Sequence, residues 1–171
     1  RSQGAVRYVG LSNWAAWQIV KAIGVAEARG LAPILSLQAY YTLVGRDLER
    51  EVIPMLGAER LGLMVWSPLA GGYLSGKYDR DGKGADGRRA SFDFPPVDKD
   101  RAQGVIGVMR GIAAVRGCSV AQVALAWLLR RSPVMLPIPG TSSLAHLREN
   151  LGAWELMLSD EEFAALSQLG R

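Results

Sequence analysis

Four times along this chain a short apolar run stops at polar or glycine-rich residues, and a segment with helical or capping features follows. No other feature restricts the fold as much. VRYVGL (6–11) ends at Ser12-Asn13. WAAWQIVKAIGVAEARG (14–30) then sets Ala16, Ile19, Val20, Ile23 and Ala26 on one helical face, with Gly30 placed to end it. APILSLQAYY (32–41) predicts a buried strand. RDLEREVIPML (46–56) predicts a helix capped by Asp47, with Leu48, Val52 and Leu56 on one side. LGLMVWSPL (61–69), apolar until Ser67, and VMLPIP (134–139) predict the third and fourth strands. Between them lie helical patterns at 100–117 and 119–132, the second opened by Ser119. Two more close the chain at 143–154 and 159–170, the last with a capping box from Ser159 and Glu162.

Continuous apolar strands alternating with helices predict an α/β fold with a parallel sheet covered by helices. Each strand ends in a polar or glycine-rich loop, where such folds hold ligands. Four (β/α) units do not close an eight-stranded barrel, so the expectation is an open sheet or half of a barrel. The 171 residues are expected to form one domain, 1–171, interrupted by a long loop at about 70–99 rich in Gly, Asp, Arg and Pro. A loop of that length in a compact domain is usually a lid or a binding loop.

Bulk properties narrow the partners. Net charge is +4, but Lys and Arg are interleaved with Asp and Glu, so no stripe favours a polynucleotide, and nucleic acid is not expected. The apolar runs fall far short of the roughly 20 residues that cross a bilayer, so no membrane partner is expected. The single cysteine, Cys118, rules out an internal disulfide. It is expected to be a small buried residue in a reducing, cytoplasmic setting.

The strand ends offer Ser12-Asn13, then Gln38 with Tyr40-Tyr41, then Trp66-Ser67, and last Gly140-Thr141-Ser142. Amides, hydroxyls, an aromatic face and a glycine turn at a helix start describe a binding surface. They do not describe a reaction centre, since no carboxylate pair, Cys/His pair or metal cluster stands there. Each group also has an ordinary structural use. Ser12 and Asn13 are typical N-caps, the tyrosines can edge a core, and PGTSS can begin a helix. The segment PIPGTSSLAHLREN (137–150) fits either a helix start or an anion site at a helix N-terminus.

RYVGLSN, SLQAYY, WSPLAGGYLSGKY and IPGTSSLAHLREN, in that order, resemble the C-terminal half of an aldo-keto reductase over essentially the whole chain. The resemblance implies that the four strands are strands five to eight of a (β/α)8 TIM barrel that uses NADPH to reduce carbonyls. It implies that Ser12, Asn13 and Gln38 bind the nicotinamide carboxamide and that Trp66 stacks on the nicotinamide ring. Ser67, Leu69, Ala70 and Gly71 would follow the pyrophosphate, with charge from Lys77 and from Arg88 or Arg89. Gly140, Thr141 and Ser142 would hold the 2'-phosphate, and Glu149 and Asn150 the adenine.

Two departures qualify these expectations. Many family members carry lysine where Gly140 stands, and arginine or glutamine where His146 stands. Fewer charges then face the 2'-phosphate, so NADH is a possible alternative, and His146 would contribute when protonated. The family's catalytic Asp, Tyr, Lys and His also lie before Arg1, so no catalytic residue is assigned. The chain is expected to be the cofactor half of a longer reductase acting on a small carbonyl substrate. It would associate with an N-terminal half-barrel or with itself. The alternative is a non-catalytic nucleotide-binding or regulatory half-barrel module.

Overall fold

The computed structural model describes residues 4–81, 88–131 and 134–170, apart from the side chains of Arg88 and Ala90. The order is β1 (Val9–Ser12), α1 (Ala16–Ala28), β2 (Ile34–Tyr40), α2 (Val52–Ala58), β3 (Gly62–Trp66), α3 (Arg88–Ser91), α4 (Lys99–Arg116), α5 (Val120–Arg131), β4 (Met135–Ile138), α6 (Leu144–Leu151) and α7 (Asp160–Leu169). The strands form one sheet in the order β1-β2-β3-β4, with every pair parallel. This is the predicted alternation, and it corresponds to half of a (β/α)8 barrel.

Side-chain alternation divides the sheet into two faces. Leu37 and Ala39 of β2, Leu63 and Val65 of β3 and Met135 of β4 are buried under the helices, against Ile106, Met109, Val123 and Trp127. The opposite face carries Ser12, Gln38 and Met64 in one register row, and Tyr40, Trp66 and Ile138 in the next. On that face Leu136 and Ile138 remain exposed. The two outer strands, β1 and β4, have no strand partner among the described residues. Beside β1 the exposed apolar residues include Val6, Tyr8, Trp14 and Trp17; beyond β4 they include Leu144, Leu147, Leu151, Trp154 and Met157. Total surface is 10145 Å², against about 8,200 Å² for a compact monomer of this mass.

Several local expectations change. Val20 is 44% exposed, so α1 buries a narrower stripe centred on Ile19 and Ala26. Helix α1 is capped not by Ser12 or Asn13 but at Ala15, whose N–H donates to Gln18 Oε1 at 3.0 Å. The helix expected over 46–56 is split into a 3-10 turn, Asp47–Glu49, and α2. Pro54 accounts for the break. It has no N–H to donate to the preceding turn, but it is tolerated within the first turn of a helix restarted at Val52. Cys118 is only half-buried, in the α4–α5 corner, and burial raises its thiol pKa. The capping box holds: Ser159 Oγ accepts the Glu162 N–H at 3.2 Å, and Glu162 Oε2 accepts the Ser159 N–H at 2.7 Å.

One polar cluster ties the β2 loop to the helices. Glu49 accepts from Tyr41 Oη at 2.5 Å, from Arg46 Nε at 2.7 Å and from an Arg131 nitrogen at 3.0 Å. Arg46 also donates to the Ser167 carbonyl, and both arginines lie over the Trp127 ring. Burial alone would raise the Glu49 pKa. The hydrogen bonds from Arg46 and Tyr41 and the charge of Arg131 outweigh it and hold the carboxyl below its ordinary range. A lowered folded-state pKa gives stability that is present above the unfolded value and lost as pH falls through the folded one. Glu49→Gln should therefore cost about 2 kcal/mol at pH 7, the scale of a charged hydrogen bond. Urea unfolding of both proteins should show the gap at pH 7 and a smaller gap at pH 3.

Candidate functional site

The C-terminal ends of the strands converge as the parallel register requires. Ser12 stands opposite Gln38, Tyr40 opposite Trp66, and Trp66 opposite Ile138. Beyond β1, Asn13 takes a left-handed conformation with φ 57°, and its N–H donates to the Gln38 carbonyl at 2.9 Å. This turn sends the Asn13 side chain back across the sheet. Its Oδ1 accepts the Trp66 indole N–H at 2.9 Å, and its Nδ2 donates to Ser12 Oγ at 3.0 Å. An exposed amide two strands away thus orients the indole. Asn13 and Ser12 each keep hydrogen-bonding capacity for a ligand, because a carboxamide has two donors and two acceptor sites.

After Trp66 the chain turns tightly. Ser67, Ala70, Gly71 and Gly72 all have positive φ, at 50°, 52°, 65° and 91°. Such angles are uncommon for serine and alanine, and strain of this kind collects at ligand sites. Ser67 holds the turn: its carbonyl accepts the Ala70 N–H at 2.8 Å and its Oγ accepts the Gly71 N–H at 2.7 Å. Gly71 is needed for space as well as for angle, since a Cβ there would lie 2.5 Å from the Phe94 carbonyl oxygen. Leu69 is half-buried against the core. Lys77 is exposed, with its ammonium 5.1 Å from the centre of the Tyr78 ring.

Of the two loop arginines, the Arg88 side chain lies outside the described residues, whereas Arg89 is buried at 3% exposure. Arg89 donates to the Ala70 carbonyl at 2.6 Å and the Pro95 carbonyl at 2.5 Å, and it pairs with Asp93 at 2.9 Å. Its guanidinium lies 5.3 Å from the centre of the Tyr73 ring. Asp93 also pairs with Lys99 at 3.0 Å; that bond and the Arg89 charge keep its carboxyl below the ordinary range. Arg89 therefore clamps the long loop onto the turn after β3.

The β4 end is more open. Gly140, Thr141 and Ser142 are exposed, and a Cβ on Gly140 would meet nothing within 4 Å. Ser143 is the N-cap of α6, with its Oγ accepting the His146 N–H at 3.4 Å, while Thr141 Oγ1 accepts the Ser143 N–H at 3.1 Å. Capping thus falls to Ser143, and the three residues before it are left at the surface. His146 is exposed in the first turn; Glu149 and Asn150 are half-buried further along the helix. The pairing of Trp66 with Ile138 places this turn beside the one that begins at Ser67.

Two tyrosines stand at the end of β2, Tyr40 as its last residue and Tyr41 just after it, and both have raised pKa values, with burial as the first cause. Tyr41 faces the helices and is bound to Glu49. Tyr40 lies 5.0 Å from Trp66, centre to centre. Neither has the lowered pKa that suits a proton donor near neutrality. The Asn13–Trp66 bond and the placing of Phe94 beside Trp66, at 5.9 Å, were not apparent in the sequence. They join residues 53 and 28 positions apart, beyond the reach of any local spacing rule.

The aldo/keto reductase family model matches residues 1–171. The chain is 35% identical to the uncharacterized oxidoreductase YrpG of Bacillus subtilis, over 97% of this chain and 49% of that protein. It is 31% identical to a norsolorinic acid reductase of Aspergillus flavus, over 94% of this chain and 39% of that protein. A thermostable aldo-keto reductase solved with the inhibitor epalrestat superposes with a TM-score of 0.74 at 30% identity, covering 98% of this chain and 50% of that one. The chain thus spans about half the length, or less, of these relatives.

Removing the clamp should loosen the loop without unfolding the sheet. Arg89→Leu loses two carbonyl bonds and an ion pair. If the local opening free energy falls by about 2 kcal/mol, proteolysis within 70–99 should quicken roughly thirtyfold. Mapping the first cleavage by mass spectrometry checks this.

Proposed function

The chain belongs to the aldo/keto reductase family of oxidoreductases, and on that premise we propose that it forms the NADPH seat of a carbonyl reductase, with NADH as a weaker alternative. The observation that carries this reading is the Trp66 indole, fixed by Asn13 at the ends of the first three strands and flanked by two small-residue turns. A flat, oriented aromatic platform suits a nicotinamide ring, and turns without bulky side chains let backbone approach phosphates. The open space around Gly140 at the start of α6 suits a further phosphate.

When bound, NADPH would supply a hydride to a carbonyl carbon while a proton reaches the carbonyl oxygen, giving an alcohol and NADP+. This chain's own part is to bind and orient. Trp66 sets the ring plane, and Ser12, Asn13 and Gln38 offer the polar groups for a carboxamide. Ser67, Leu69, Ala70 and Gly71 line the pyrophosphate path, with Lys77 nearby and Arg89 bracing the turn from beneath. Gly140, Thr141 and Ser142 receive the 2'-phosphate, with His146 one turn into α6, and Glu149 and Asn150 meet the adenine. A relative named as a norsolorinic acid reductase supports reduction as the direction.

The proton comes from elsewhere on this reading, because Tyr40 and Tyr41 are both poorly suited to give it. We assign it to an N-terminal half of the barrel, as the resemblance to the family implies. That N-terminal half would pair with the open β1 and β4 edges and cover the apolar residues beside them. Edge strands and apolar patches of this kind favour association.

Titration with NADPH, followed by energy transfer from tryptophan to nicotinamide, tests the seat. Saturable binding is expected, with the transfer much reduced in Trp66→Leu; a flat titration sinks the proposal. Ser142→Asp should weaken NADPH by about tenfold or more, through repulsion of the 2'-phosphate, and leave NADH within twofold.

A further inference from the structure

Four aromatic rings lie in file at the C-terminal edge of the sheet. From Phe92 to Phe94, Trp66 and Tyr40, the centre-to-centre distances are 5.5, 5.9 and 5.0 Å. These fall in the range where aromatic pairs attract. The Phe94 and Trp66 planes differ by 8°. Parallel rings in full face contact would lie about 3.5–4 Å apart, so at 5.9 Å the two are not in full face contact. Each ring in the file is at least partly exposed. Phe92 and Phe94 are 53% and 41% exposed.

The mount beneath these rings is built from polar bonds. The Phe94 N–H donates to the Phe92 carbonyl at 2.8 Å, closing a tight turn that holds the two rings near one another. On either side Arg89 grips the Ala70 and Pro95 carbonyls. Asp93, between the two phenylalanines, pairs with Arg89 and Lys99, so its charge is engaged by cations. Two exposed rings on a braced turn, next to an oriented indole, differ from scattered surface hydrophobics. They present a second flat, apolar surface continuous with the Trp66 platform.

We propose that Phe92 and Phe94 seat the aromatic ring of the carbonyl substrate, so that the site selects aryl ketones and aldehydes over saturated ones of the same size. This rests on Trp66 being the nicotinamide platform. The carbonyl carried by a ring on Phe94 would then lie towards the Trp66 side of the file. Ring-on-ring contact adds a preference of roughly two- to twelvefold per aromatic pair beyond area burial. Burial alone would favour the saturated ring, which is the more apolar of the two.

The test compares acetophenone with cyclohexyl methyl ketone, which have the same carbon count, on the 171-residue chain saturated with NADP+, so that no turnover intervenes. Binding is followed by ligand-observed NMR, and NADP+ affinity is measured on the same samples. Acetophenone is expected to bind roughly five- to tenfold tighter, with its ring protons shifted upfield by the protein rings. Both effects should fall away in Phe94→Leu and diminish in Phe92→Leu, which keep apolar bulk but lose the ring. Equal binding, tighter cyclohexyl binding or no binding of either ketone overturns the inference. So does a preference that survives both substitutions. Failure of NADP+ itself to bind would instead defeat the cofactor seat, and the two failures read out separately.

Discussion

The register of the parallel sheet is the constraint on which everything else here depends. Side chains alternate with a period of two, so Leu37, Leu63 and Met135 can reach the helices only if Gln38, Met64 and Leu136 turn the other way. The same choice brings Tyr40, Trp66 and Ile138 into one row at the ligand edge. Slipping β3 by one residue would bury Met64 under the helices and point Trp66 away from Asn13. The burial that stabilises the core and the placement that orients the indole are therefore one geometric fact. Neither can be altered alone.

A second layer of organisation is carried by charge. Arg89 binds backbone carbonyls of both the turn after β3 and the long loop, and so joins a strained turn to the segment that bears Phe92 and Phe94. Ser67 and Ala70 hold left-handed angles that their side chains disfavour. The surrounding bonds, from Ser67 Oγ and from the Arg89 guanidinium, fix that conformation. In the loop after β2, Glu49 plays a corresponding part between Arg46, Arg131 and Tyr41. Buried Arg89 and half-buried Arg46 and Arg131 thus anchor the loops after β3 and β2, the two loops nearest the aromatic file.

Much of the fold was legible because it rests on local patterns. Apolar runs ended where turn residues stood, and Ser119 and Ser159 opened the helices they were expected to open. The failures have physical causes. Pro54 split a helix that periodicity alone would continue. Val20 obeys the spacing of a core face but lies at the rim of α1, where no described helix covers it. At the strand ends the polar residues were legible as types, and their meeting follows from the parallel order. Their partners were not: the Asn13 bond to Trp66 needs the positive φ at Asn13, and the clamp by Arg89 needs a buried cation inside a loop that reads as a lid or binding loop. Composition carries no trace of either.

The face of the sheet turned away from the helices is not uniform along its height. At the N-terminal end its row is Gly10, Ser36 and Gly62, and a Cβ on Gly10 would come within 2.5 Å of Ser36 Oγ. At the other end the row is Tyr40, Trp66 and Ile138. The concave wall is therefore thin at its base and thick at its rim. Since protein interiors fill to a nearly constant density, the missing volume at the base has to come from whatever faces it. A complementary wall must bring its largest side chains low and keep its smallest near the rim, a taper that opposes this one.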